Sequence, residues 1–243
     1  MRKLLITINT FCENFLLYFY KKIEENKKYN NKIIFDNKFS HNKDKLLIYS
    51  MYFNNNINKY IYNNIKYFLS NGYDVLLIIS LDCKNKIQGI INSQDLTGLR
   101  VVYRENYGKD FGSFKDAIEI LSNRLKDLRV VILQNDSLIG PLYDSNFINK
   151  IELMPHDVIG ITESLDYKYH IQSSFIVIKS PLAIQILQNF MREYPVYQFR
   201  SFIVKYGEIE LSQYFIKGGL NIGVYAPLLK LIEIKTNSRI INI

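Results

Sequence analysis

The 243-residue sequence predicts an α/β fold: a mostly parallel central sheet with helices on both faces, preceded by an N-terminal helical extension. Three observations predict it. Short, continuous apolar runs alternate with segments whose apolar residues recur at helical spacing, the pattern of strands buried on both faces. Polar clusters, the first with two glycines, follow the third and fourth runs, just where open α/β sheets bind ligands. The chain is 48% hydrophobic and 22% charged, enough to build a real core.

The elements follow in order. Residues Phe15 to Ile23 fit a short amphipathic helix with Leu16, Phe19, Tyr20 and Ile23 on one side, and Glu24 to Lys32 is polar and rich in lysine and asparagine. Residues 1–44 are therefore read as an extension and 45–243 as the main domain. Leu46 to Ser50 is the first buried strand; Ile57, Ile61, Ile65 and Phe68 then repeat at helical spacing, and Gly72 terminates that helix. Val75 to Ile79 is the second strand, Leu99 to Tyr103 the third, and Arg129 to Leu133 the fourth. A helix starting near Phe111 links the third and fourth. Asp157 to Ile161 and Ile171 to Ile178 read as further strands joined by a polar segment. Helices are expected over Pro181 to Tyr194, with proline in its first turn, and from Glu208 to Ile216, stopped by Gly218-Gly219. Asn221 to Tyr225 is the last expected strand.

Composition narrows the partners. The net charge of +8 favours an anionic ligand or surface, although the lysines are dispersed and form no arginine-rich block. No recognisable nucleic-acid motif accompanies them. Cys12 and Cys83 are the only cysteines, which fits a reducing cytoplasm rather than a disulfide framework or zinc site. No apolar stretch is long and clean enough to span a bilayer, and Met1 to Ile6 makes a poor signal peptide. The aromatic and basic N-terminal helix suits contact with the inner face of a membrane, or packing onto the domain or a second subunit, which is the preferred reading.

The most informative stretch is Arg104-Glu105-Asn106-Tyr107-Gly108-Lys109-Asp110-Phe111-Gly112-Ser113-Phe114-Lys115. It places two glycines and two lysines between a strand and a helix. Gly108 and Gly112 let the backbone approach a ligand, and Lys109 and Lys115 can neutralise phosphate, Lys115 from one turn inside the helix. Asp110 suits either a ligand contact or the N-cap of that helix. A second cluster, Asn135-Asp136-Ser137, ends the fourth strand and suits either a turn or a site. Two such clusters on successive strand ends argue for one shared site.

These segments, with Gln134 to Leu142, Gly160 to Ser164, His170 to Phe175 and Glu208 to Ser212, occur in an order that resembles the rhamnan synthesis protein F family of rhamnosyltransferase-like proteins. The resemblance covers roughly Lys45 to Tyr225. It implies a GT-A-like (Rossmann-like) glycosyltransferase that transfers a sugar, such as the deoxyhexose L-rhamnose, from a nucleotide-diphosphate donor to a growing polysaccharide or lipid-linked glycan. Such transfer must stabilise a diphosphate leaving group and align an acceptor hydroxyl.

The resemblance also assigns residues. Asn135-Asp136-Ser137 stands where GT-A enzymes carry Asp-x-Asp for a divalent metal; with one carboxylate, Asp136 remains a candidate ligand for Mg²⁺ or Mn²⁺, and Lys109 and Lys115 can replace part of the metal's charge. His170 is a second metal or phosphate candidate, and Gln172 a sugar contact. Tyr52 and Asp82 lie where the fold holds base and ribose; Arg104 and Asn106 belong to the nucleotide-sugar motif. Inverting transfer needs a base, for which Glu163, Glu210 and Glu208 are candidates, with Glu163 and Glu210 ranked close. Against the enzyme stands a catalytically silent nucleotide- or glycan-binding module of a polysaccharide-synthesis complex. The absence of Gly-x-Gly-x-x-Gly after the first strand, of a Walker loop and of Gly-x-Ser-x-Gly argues against dinucleotide, ATPase and hydrolase readings.

Overall fold

A computed structural model describes residues 18–26, 33–36, 43–53, 58–82, 96–142 and 145–230. Its strands are β1 (Ile33–Asp36), β2 (Lys45–Tyr52), β3 (Asp74–Leu81), β4 (Leu99–Glu105), β5 (Val130–Asn135), β6 (Val158–Gly160), β7 (Glu163–Ser164), β8 (His170–Ile171), β9 (Phe175–Ile178) and β10 (Ile222–Val224). Eight of them form one sheet in the order β1-β4-β3-β2-β5-β9-β6-β10, while β7 and β8 pair separately.

The four apolar runs read from the sequence are β2 to β5, and they pair in parallel. The chain moves from β2 through β3 to β4 on one side, then returns to place β5 on the other side of β2. The strand order therefore reverses between β2 and β5, and a crevice opens beyond their carboxyl ends. β9 runs antiparallel between β5 and β6, and β10 parallels β6.

Helices cover both faces, as the continuous apolar strands require. On one face lie α2 (Lys59–Ser70) and α4 (Phe147–Glu152), packed on Leu47, Leu77 and Ile132. Ile61, Ile65 and Phe68 of α2 recur at spacings of four and three, so they share one buried stripe. Burying each contributes about 1.5–3 kcal/mol. The other face carries α3 (Lys109–Ile120) and α5 (Pro181–Glu193), packed on Leu46, Ile48 and Leu133. The α5 start is well specified: Ser180 Oγ accepts the Ala183 N–H at 3.2 Å, and Pro181 occupies the first turn.

Several expectations change. The helix expected from Glu208 begins earlier: α6 (Arg200–Phe202) runs into a π-helical segment (Ile203–Ile209) and then α7 (Glu210–Lys217). The strand expected over Ile171 to Ile178 is two, because β8 pairs with β7 and β9 joins the main sheet; Gln172, Ser173 and Ser174 turn between them. The extension expected over residues 1–44 is not only helical. Its described parts are α1 (18–26) and β1, and β1 adds to the edge of the main sheet. There Arg100 donates to both carboxylate oxygens of Asp36, at 2.8 and 2.6 Å. The α1 helix sits on the domain through Glu24, which is buried and accepts the Gln198 N–H at 3.2 Å. Its Tyr18, Phe19, Tyr20 and Ile23 remain exposed, and Tyr20 meets Phe199 with ring centroids 5.7 Å apart. Leu16, Ile57, Cys12 and Cys83 lie outside the described residues.

Candidate functional site

A cleft of about 650 Å³ opens at the reversal of strand order. The ends of β2 and β3 supply Ser50, Met51, Tyr52 and Ser80; the β4–α3 turn supplies Asn106, Lys109 and Asp110; the end of β5 supplies Asn135, Asp136 and Ser137. The β8–β9 turn adds Gln172, Ser173 and Ser174. The far wall is the start of the α6–π–α7 run, with Arg200, Ile203, Val204 and Glu208.

The β4–α3 turn is held tightly. Arg104 is fully buried; its Nε donates to Asp116 at 2.7 Å, and its Nη2 donates to the Tyr107 carbonyl at 2.7 Å. Arg104 thus clamps strand, turn and helix together and does not reach the cleft. Gly108 has φ +74°, and a Cβ there would lie 2.0 Å from Val196 Cγ1; one on Gly112 would lie 2.1 Å from the Tyr107 carbonyl oxygen. Both glycines are required by the turn itself. Gly108 is the N-cap of α3, so of the two readings of Asp110, ligand contact or cap, the cap is taken by Gly108, and Asp110 stands in the first turn and lines the cleft. Lys109 adopts φ +50°, a conformation that costs a non-glycine residue energy and that clusters at functional sites.

Four hydrogen bonds tie the strand ends together. The Tyr52 N–H donates to Asp136 Oδ2 at 2.9 Å, and Asn135 Nδ2 donates to Asp110 Oδ2 at 2.7 Å. At the rim, Asp82 accepts from Asn106 Nδ2 at 3.0 Å and from the Tyr52 hydroxyl. Burial pushes the Asp136 carboxyl above its ordinary value, and the nearby Asp110 adds to that rise against the Tyr52 N–H, which lowers it. Two carboxylates from different elements, Asp110 and Asp136, thus face one cleft, a setting that suits a divalent cation.

Other expected site residues are placed elsewhere. Lys115 lies four residues after Phe111 and three before Ile118, on the helix face turned to the core. Its Nζ donates to the Met191 and Arg192 carbonyls at 2.5 and 3.0 Å, and burial lowers its ammonium from the ordinary lysine value. Lys115 is therefore a brace between α3 and the end of α5 and does not reach toward the cleft. His170 is also buried behind the wall: Nδ1 is 2.8 Å from the Lys168 carbonyl and Nε2 is 3.4 Å from Glu208 Oε1. It does not share the cleft with Asp136 as a metal partner. Among the described residues, no group of three or more His, Cys, Asp or Glu side chains clusters as a metal site.

Among the base candidates, Glu208 alone lines the cleft. Its Oε2 accepts both the N–H, at 2.8 Å, and the hydroxyl of Ser173. Glu163 accepts the Leu228 N–H at 2.9 Å and meets Tyr169, whose hydroxyl burial and Glu163 push up to about 12. Glu210 pairs with Lys168 at 3.3 Å. Glu163 and Glu210, ranked close from the sequence, are not among the cleft-lining residues. Arg200 escaped sequence reasoning because no motif singles it out; the only signal was a basic residue ahead of a helical pattern.

The geometry defines a mixed α/β protein with a polar cleft at a sheet's switch point, lined by carboxylates, amides and two cations. Residues 91–234, more than half of the chain, match the model of rhamnan synthesis protein F, and the chain belongs to that family. The virulence protein VirA of Vibrio anguillarum is 29% identical over 201 residues, covering 77% of this chain and 61% of VirA. An uncharacterized protein, y4gN, of Sinorhizobium fredii is 26% identical over 134 residues, covering 52% of this chain and 35% of y4gN. The chain thus spans about three-fifths or less of these relatives. Among solved structures, the mannosyltransferase PcManGT from Pyrobaculum calidifontis, in complex with GDP-Man and Mn²⁺, aligns with a TM-score of 0.40 and 12% identity, covering 90% of this chain and 64% of its own. No helix among the described residues is long and apolar enough to cross a membrane.

Proposed function

We propose that this chain is a nucleotide-sugar glycosyltransferase that moves a deoxyhexose such as L-rhamnose, with inversion, onto a growing polysaccharide or lipid-linked glycan. One observation carries the reading: the switch-point cleft gathers Lys109, Asp110, Asp136, Arg200 and Glu208 from four separate elements. Family membership agrees with it. A diphosphate needs positive charge at one end of the site, and an acceptor hydroxyl needs a base at the other.

Lys109 and Arg200 are the cations among the cleft-lining residues and would meet the diphosphate. Asp136 and Asp110 would hold a divalent metal, which when bound would neutralise leaving-group charge. Tyr52, with its ring half-exposed at the end of β2, offers a face for the base. Asn106 holds Asp82 beside it for the ribose. Gln172 and Ser174 offer polar contacts to the sugar. Glu208 takes the acceptor's proton. A lipid-linked acceptor would bring the chain to the inner face of a membrane, where the exposed aromatic side of α1 can rest.

Thermal shift with dTDP-L-rhamnose, UDP-glucose and GDP-mannose, with and without Mn²⁺ or Mg²⁺, tests the reading together with donor hydrolysis. A donor that raises the melting temperature and is hydrolysed supports the enzyme. Binding with no turnover towards any glycan or water favours the silent module.

A further inference from the structure

The environment of Glu208 specifies more than a carboxylate in a cleft. Its Oε2 is occupied by the two Ser173 donors, which leaves Oε1 as the oxygen that can take a proton. Oε1 faces His170 Nε2 at 3.4 Å, and the ring is 3% exposed. The tautomer of that ring is dictated by its other side. The Lys168 carbonyl can only accept, so Nδ1, at 2.8 Å, carries the hydrogen. Nε2 then faces Oε1 across 3.4 Å, close enough for one proton to lie between ring and carboxylate.

Neighbouring groups are engaged elsewhere. The Lys168 ammonium is turned to Glu210 at 3.3 Å, and Ser212 Oγ accepts the Ile171 N–H at 3.2 Å. Asp110, Asp136, Lys109 and Arg200 line the cleft with Glu208, whereas His170 is not among the lining residues. The π-helical turn carrying Glu208 widens the helix at this point, a distortion frequent at functional sites.

We propose that His170 is a positioning residue for sugar transfer: it fixes Glu208 and holds, between Nε2 and Oε1, the proton that Glu208 takes from the acceptor. The proposal rests on the glycosyltransferase reading above. In the step, the acceptor oxygen forms a bond to the anomeric carbon. The bond from that carbon to the diphosphate oxygen breaks, and its electron pair leaves with the nucleoside diphosphate. The acceptor's proton passes to Glu208 Oε1 and is shared with Nε2. When water replaces the acceptor, the same balance gives free sugar.

The test compares His170→Asn and His170→Gln with wild type. Asparagine can keep the bond to the Lys168 carbonyl but places no atom at the Nε2 position, whereas glutamine can place a polar atom there. With dTDP-L-rhamnose, UDP-glucose and GDP-mannose as donor probes, His170→Asn is expected to lower kcat of hydrolysis about tenfold or more while donor Kd and KM stay within about twofold. His170→Gln is expected to recover part of kcat. Unchanged kcat in His170→Asn, or equal losses in kcat and donor affinity, would overturn the proposal while leaving the glycosyltransferase reading intact. No donor binding by wild type would overturn both. Should His170→Asn fail to fold, ¹⁵N NMR of the folded wild type decides, since the chain holds only three histidines. A protonated Nδ1, with an Nε2 shift that moves in Glu208→Gln, supports it; an Nε2–H tautomer overturns it.

Discussion

The main-chain N–H of Tyr52 donates to Asp136 Oδ2 at 2.9 Å, tying the ends of β2 and β5 across the point where strand order reverses. This bond fixes the Asp136 carboxylate beside Asp110. The cost of that placement is visible in the raised carboxyl of Asp136.

That cost predicts a pH dependence. A carboxyl whose folded value lies above its unfolded one binds protons more tightly in the native state, so stability falls as pH rises through the window between the two values. Asp136→Asn keeps an oxygen for the Tyr52 N–H and removes the charge. It should melt at a higher temperature than wild type at pH 7, with the difference closing below the ordinary carboxylate range. Thermal melts from pH 3 to 7 check this. A variant that is less stable at pH 7 and gains in acid would show the reverse sign.

Arg104 and Asp116 form a buried pair at the root of the β4–α3 turn. Arg104→Met should cost about 3–5 kcal/mol, because it leaves a buried carboxylate without its charge partner. Adding Asp116→Leu should restore much of the loss. Urea denaturation of the two single variants and the double variant measures the coupling.

Gly112 tests the turn rather than the ion pair. Its absent side chain makes room for the Tyr107 carbonyl, so Gly112→Ala should destabilise by more than about 1 kcal/mol and weaken donor binding by displacing Lys109 and Asp110. Chemical denaturation and donor titration on the same protein show both effects.

Lys115 should behave as a brace. Lys115→Met removes hydrogen bonds to two α5 carbonyls and should cost about 1–3 kcal/mol. Donor Kd should stay within about twofold of wild type in calorimetric titration.

Much of the fold could be read from the chain, for a physical reason. Strands buried on both faces, such as Leu46 to Ser50 and Val75 to Ile79, need unbroken apolar runs, and little else produces them. The polar ends of those runs, at Tyr52, Asn106 and Asn135-Asp136, marked one side of the cleft. What was missed lay in elements whose pattern is ambiguous. A π-helical segment breaks the α-helical period, so Glu208 looked like a helix start and nothing marked Arg200 as part of the same helical run. Lys115 occupies a core-facing position of α3 that its charge seemed to forbid, and only the α5 carbonyls explain it. β1 is four residues long and joins β4 from far away in sequence, and no local pattern marks such an edge strand.

The central claim is that the switch-point cleft binds a nucleoside-diphosphate sugar. Isothermal titration of dTDP-L-rhamnose, UDP-glucose and GDP-mannose, in the presence of Mn²⁺, into wild type and Asp136→Ala tests it most directly. The expected result is binding of at least one donor by wild type and a loss of about tenfold or more in the variant, about 1.4 kcal/mol. Equal affinity in the two proteins, or no binding of any donor by folded wild type, would contradict it.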